Sequence, residues 1–162
     1  MIKKILIANR GEIACRVIRT AKKMGIRTVA VYSEADEFSR HVLEADESIP
    51  IGPAVASESY LSIEKIIDAA KKTNSDAIHP GYGFLSENSE FVQKLLKTKI
   101  KFIGPNIKAI KIMGDKIQSK NIAIKAKVHT IPGFNEVIKD VSHAINIAKD
   151  IGFPLMIKAS AG

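Results

Sequence analysis

The 162-residue sequence contains one cysteine and no tryptophan. A lone Cys15 excludes an internal disulfide framework and suits a reducing compartment. It has no CxxC partner, and His41, His79, His129 and His143 show no metal-ligand spacing, so no local zinc site is written into the chain. No stretch approaches the roughly 20 apolar residues of a membrane-spanning helix, and no membrane partner is expected. Ile5 to Ala8 is too short for the apolar region of a signal peptide and flows straight into Asn9-Arg10-Gly11, so no leader is expected. These absences point to a bacterial cytoplasmic protein or a mature protein of an organellar matrix. A G-x-x-x-x-G-K-S/T loop is missing too, which excludes a Walker-type ATPase at motif level.

What is present is an ordinary globular composition, 46% hydrophobic, with a formal net charge of +8. Such a balance raises nucleic acid as a partner. However, the lysines are scattered in pairs such as Lys22-Lys23 and Lys71-Lys72, arginine is scarce, and no run of five or six like charges occurs. A solvated lysine-rich surface is the stronger reading, and no nucleic acid is expected.

Hydrophobic patterning alternates between strand and helix. Met1 to Ala8 reads as a strand, Gly11 to Met24 as a helix with Ile13, Val17, Ile18 and Ala21 at helical spacing, and Ile26 to Tyr32 as a strand. A strand, short turn, helix and strand in about 30 residues make a right-handed parallel βαβ unit. Further on, His41–Ala45, Leu61–Lys72 and Glu87–Leu96 read as helices, and Glu47–Ile51, Asp76–His79 and Ile100–Ile103 as strands. The order predicts an α/β fold with a doubly wound, Rossmann-like parallel sheet. Ligands of such folds sit at the carboxyl ends of the strands, where Asn9-Arg10-Gly11 and His79-Pro80-Gly81 fall. After Asn106 come helices at Ile107–Met113, Asp115–Ala126 and Val141–Ile151, then a strand over Phe153–Lys158. The expected division is a domain over residues 1–112 and the start of another over 113–162.

Four stretches are candidates for chemistry. Ile7 to Ala14 stands where a dinucleotide fingerprint would, but supplies only Gly11, and Glu12 in the first helical turn would repel a phosphate. His79 to Asn88 sets Tyr82 and Phe84 on a loop with two glycines, and Ser86 is placed to cap the next helix. That loop is either a substrate contact or simply a well-made connection. Lys116 stands in the first turn of a helix capped by Asp115, where a cation is unfavourable unless an anion shares the site, although lysines are common at such positions. Lys158 has the stronger claim. It ends an apolar strand beside the small-residue segment Ala159 to Gly162, the arrangement of an ammonium and loop amides around a phosphate.

Taken in order, Ile7-Ala8-Asn9-Arg10-Gly11-Glu12-Ile13-Ala14, His79 to Asn88, Phe102-Ile103-Gly104-Pro105, Met113-Gly114-Asp115-Lys116 and Ile157-Lys158-Ala159-Ser160 resemble the biotin carboxylase family of ATP-grasp enzymes. Val128 to Lys139 and the closing Lys158 to Gly162 look most like the propionyl-CoA-directed branch of that family. The resemblance implies a pre-ATP-grasp α/β domain followed by the incomplete start of an ATP-grasp domain. It implies a ligase that uses ATP, Mg2+ and bicarbonate to carboxylate biotin. By position, Lys116 and Lys158 match ATP-contacting lysines and Tyr82 a residue at the biotin end of the site. Arg19 lies on the helix that resembles the family's homodimer surface. A biotinylated carrier domain and a carboxyltransferase subunit are the implied macromolecular partners.

The family's glycine-rich loop continues beyond Ala-Ser-Ala-Gly, and its metal-holding carboxylates lie further on, so no metal ligands are expected in this chain. The 162 residues are therefore expected to be an amino-terminal portion, inactive alone. The alternative is a non-catalytic assembly module that keeps the dimer surface.

Overall fold

A computed structural model describes residues 1–131 and 133–157 and divides the chain into two compact units, Met1–Ile107 and the residues from Lys108 onward. The first unit carries five strands: β1 (Lys4–Ile7), β2 (Arg27–Ser33), β3 (Glu47–Gly52), β4 (Ala77–His79) and β5 (Lys101–Phe102). They form one sheet in the order β3-β2-β1-β4-β5, every pair parallel. Helices α1 (Gly11–Lys23), α2 (Arg40–Glu44), α3 (Ile63–Lys72) and α4 (Ser89–Leu95) make the connections. The doubly wound sheet expected from the sequence is the one that forms.

The period-2 alternation of β1 sorts its side chains between two cores. Ile5 and Ile7 pack with Ala14, Ile18 and Ala21 of α1. Leu6 and Ala8 join Ile66, Ile67 and Ala70 of α3 and Phe91 and Leu95 of α4 on the other face. With helices on both faces, β2 reads as the unbroken run Val29-Ala30-Val31, all fully buried. Each large apolar side chain removed from water in this way contributes about 1.5–3 kcal/mol. Gly25 ends α1 in the left-handed region, with its own N–H on Lys22 O and that of Ile26 on Ala21 O.

The helix expected from Glu87 begins later, because Asn88 rather than Ser86 is its cap. Asn88 Oδ1 accepts from the Phe91 N–H at 2.9 Å, whereas the Ser86 N–H donates to Gly83 O within the preceding turn.

The second unit contains α5 from Ile107 to Gly114 (its first residue still in the first unit), α6 (Lys116–Lys125) and α7 (Val141–Ile151). Asp115 caps α6 through the Gln118 N–H at 2.7 Å, and Asp140 caps α7 through the His143 N–H at 2.8 Å. The strand expected over Phe153–Lys158 is not formed in residues 153–157. Among the described residues the second unit holds no strand to pair with it, and a lone strand leaves its backbone groups unbonded. Lys158 itself, with the small-residue segment after it, lies outside the described residues.

Candidate functional site

Three chain reversals meet at the carboxyl edge of the first unit's sheet: the turn after β1, the turn after β2, and the loop after β4. Asn9 follows β1 directly and is 1% exposed. Its carboxamide nitrogen donates to Pro80 O and to Tyr82 O, both at 2.8 Å, while its oxygen accepts from the Arg10 N–H at 2.9 Å. The β1–β4 ladder runs on beneath it, the Ala8 N–H donating to His79 O at 2.9 Å. His79 Nδ1 accepts from the Gly81 N–H at 3.0 Å, which places the ring proton on Nε2. Burial pushes the His79 pKa down, keeping the ring neutral.

The loop turns sharply. Gly81, Gly83 and Phe84 all have positive φ, and a Cβ at Gly81 would lie 2.7 Å from Asn9 Nδ2 and 2.8 Å from Ile13 Cγ2. The two loop aromatics therefore part company. Phe84 stacks on Tyr60 with ring centroids 5.1 Å apart and belongs to the core, not to a ligand surface. Tyr82 is 62% exposed, and its hydroxyl donates to Glu12 Oε1 at 2.7 Å. That bond to a carboxylate raises the Tyr82 pKa above its ordinary value.

Beside this loop lies a polar cluster that no local spacing announced. Asp36, 9% exposed, accepts from the Tyr60 hydroxyl at 2.7 Å, Ser33 Oγ at 3.1 Å, Ser39 Oγ at 3.3 Å and the Arg10 guanidinium at 3.1 Å. Arg10 also lies 6.0 Å from the centre of the Tyr60 ring. Fully buried His41 meets the Gly11 N–H through Nδ1 at 3.4 Å and Val31 O through Nε2 at 3.3 Å. Sequence reasoning placed Asn9 at the ligand edge without a role and weighed His41 only as a metal ligand, and it missed Asp36 and Tyr60. The one available signal was two polar residues at a buried strand end, Asn9 and Ser33, which demand partners.

Of the residues singled out from sequence, Tyr82 stands in the first unit, and Lys116 is the exposed first residue of α6 in the second. Lys158 lies outside the described residues. Arg19 is exposed on α1, its Nε donating to Cys15 O at 3.3 Å. Among the described residues no group of three or more His, Cys, Asp or Glu side chains is placed to hold a metal ion. No helix among them is long and apolar enough to cross a membrane.

Residues 1–110 match the biotin carboxylase N-terminal domain, and residues 115–162 match the ATP-binding domain of the carbamoyl-phosphate synthase L chain. The mitochondrial propionyl-CoA carboxylase alpha chain of Mus musculus is 60% identical over 159 residues, covering 98% of this chain and 22% of its own length. The chain thus spans about a fifth of that relative. Biotin carboxylase from Campylobacter jejuni, solved as a β,γ-ATP complex, is 51% identical with a TM-score of 0.93, covering 100% of this chain and 36% of that one. The biotin carboxylase domain dimer of Hydrogenobacter thermophilus 2-oxoglutarate carboxylase, solved with MgADP, ADP and bicarbonate, is 51% identical with a TM-score of 0.90 over the same shares.

Proposed function

Because the chain belongs to the biotin carboxylase N-terminal domain family, we propose that it supplies the amino-terminal portion of the biotin carboxylase subunit of an acyl-CoA carboxylase acting on propionyl-CoA. The reaction is the ATP- and bicarbonate-dependent carboxylation of biotin, with the biotin borne on a separate carrier domain and the product used by a carboxyltransferase subunit. The observation that carries this reading is 60% identity sustained over 98% of the chain.

Within it, Lys116 and Lys158 meet the phosphates of ATP, where charge develops and fixed cations stabilise it. Tyr82 lines the biotin end of the site. The second domain starts near Met113, as the opening of an ATP-grasp domain. A homodimer forms through the first domain on the side of α1 that bears Arg19, and the setting is the bacterial cytoplasm or an organellar matrix. Bound Mg2+ would neutralise phosphate charge in the whole enzyme.

The 162 residues alone are expected to bind nucleotide weakly and not to turn over. Calorimetric titration with ATP, with and without Mg2+, should give heat that falls in Lys116→Ala. A flat trace up to millimolar ATP would instead support the assembly module. Phosphate release from ATP, Mg2+, bicarbonate and free biotin should not exceed that of Lys116→Ala, and release above that control would overturn the inactive reading.

A further inference from the structure

Tyr82 is exposed and stands on a loop with three positive-φ residues among four, a segment with little conformational preference of its own. Something must hold it if it is to present one geometry to a ligand. We propose that Asn9 is a positioning residue for Tyr82, its carboxamide fixing the 80–84 loop so that the Tyr82 hydroxyl reaches Glu12 and the ring faces outward. The ligand-facing half of this statement rests on the reading of Tyr82 above. The positioning half does not.

The geometry suits an asparagine and little else. Both amide hydrogens are used, one on Pro80 O and one on Tyr82 O at 2.8 Å, and the amide oxygen takes the Arg10 N–H at 2.9 Å. An aspartate would set an acceptor against two carbonyl oxygens, and an alanine would leave both without a donor. Asn9 is itself buried. It follows Leu6, Ile7 and Ala8, each at most 1% exposed, at the end of the central strand. The sheet's rigidity therefore passes through one side chain into the loop. Glu12, the second residue of α1, completes the clamp at the hydroxyl at 2.7 Å. With its hydroxyl hydrogen engaged by Glu12, Tyr82 offers a ligand its ring face and an oxygen lone pair.

The sequence holds three tyrosines, so ring-labelled tyrosine followed by NMR in the 162-residue chain resolves each hydroxyl titration. Glu12 raises the Tyr82 pKa, desolvation adds to the rise and Arg16 draws it back. Glu12→Ala should lower it, and the size of that fall calibrates full release. Asn9→Ala, with Glu12 intact, should produce the same fall, because the released loop no longer holds the hydroxyl on the carboxylate. Tyr60, pushed up to about 12 by burial and by Asp36, is the control for folding and should remain protonated at pH 11 in both variants.

A Tyr82 titration unchanged in Asn9→Ala, with Tyr60 still protonated at pH 11, overturns the proposal. Should Asn9→Ala unfold and both tyrosines titrate near 10, the decision passes to the unsubstituted chain. There both Asn9 side-chain amide protons should exchange at least about tenfold more slowly than those of a free asparagine, and exchange at the free rate overturns the proposal. No ligand enters these measurements. If Tyr82→Phe and Tyr82→Ala left biotin binding by the complete subunit unchanged, the functional reading would fail while the positioning role stood.

Discussion

The Tyr60 hydroxyl donates to Asp36 Oδ2 at 2.7 Å and accepts from the Ser33 N–H at 3.0 Å, tying itself to both ends of the 33–36 turn beside the candidate site. Burial alone would push the Asp36 pKa up, but the bonds from Tyr60, Ser33 and Arg10 outweigh it and hold the carboxyl below its usual range. A depressed folded-state value stabilises the fold above the unfolded pKa near 4 and is lost as pH falls through the folded value. Tyr60 has the opposite sign. Its pKa of about 12 stabilises fully below pH 10 and fades as pH rises through about 12.

Tyr60→Phe keeps the ring on Phe84 but strips Asp36 of a donor and Ser33 of an acceptor. The expected loss is about 1–3 kcal/mol, seen as a lower urea midpoint at unchanged slope. The variant should also lose the alkaline destabilisation between pH 10 and 12. An unchanged midpoint at pH 7 would mean that water replaces the hydroxyl without cost.

The order of strands and helices through Leu95 was legible because each element carries its own period. Ile63, Ile66, Ile67 and Ala70 lie on one face of α3 and are buried there. The site was less legible. Tyr82 was marked by its glycines, yet Phe84, two residues on, turned inward, since a φ of 41° at Phe84 sends its ring onto Tyr60. Asp36 and Tyr60 stand 24 positions apart, and no local spacing relates them. A strand was expected over Phe153–Lys158 from its apolar run alone, and residues 153–157 form none. An apolar run states what should be buried, whereas a strand also needs a neighbour.

Gly81 and Gly83 separate two costs that are usually confounded. Both have positive φ, +67° and +69°, but a Cβ at Gly81 meets Asn9 and Ile13 while one at Gly83 meets nothing within 4 Å. Gly83→Ala should cost about 1 kcal/mol, the backbone term alone. Gly81→Ala should cost about 1–3 kcal/mol more, because buried Asn9 and half-buried Ile13 must both shift to admit the Cβ. Equal losses in thermal or urea unfolding would show that the loop moves away from Asn9 freely.

Cys15 tests the packing of α1. Burial raises its pKa, the Glu44 carboxylate adds to the shift, and Arg40 and Arg19 oppose it. The reactive thiolate is therefore scarce and shielded near neutral pH. Iodoacetamide at pH 8 should label native protein at least about tenfold more slowly than urea-unfolded protein, as read by intact mass. Labelling at the unfolded rate would mean that α1 does not stay docked.

Buried His41 and half-buried His79 should make the first unit acid-sensitive before its carboxylates do. Burial lowers the His41 pKa, with Arg10 adding to it and Val31 O and Asp36 opposing, and burial alone lowers that of His79. Each ring also accepts a backbone N–H through Nδ1, from Gly11 and from Gly81, and protonation would turn that acceptor into a second donor. A histidine depressed in the folded state stabilises it fully above the unfolded value near 6.5, and the contribution is lost as pH falls through the folded value. The Asp36 contribution disappears only below about pH 4, so the two are separable. Urea midpoints at pH 7.5, 6.5 and 5.5 should therefore decline across the lower interval. His79→Gln can keep an acceptor near the Gly81 N–H but cannot take up a proton, and it should flatten that decline. A midpoint constant from pH 7.5 to 5.5 in the unsubstituted chain would mean that both rings reach solvent when protonated and that the Gly81 turn is not held by His79.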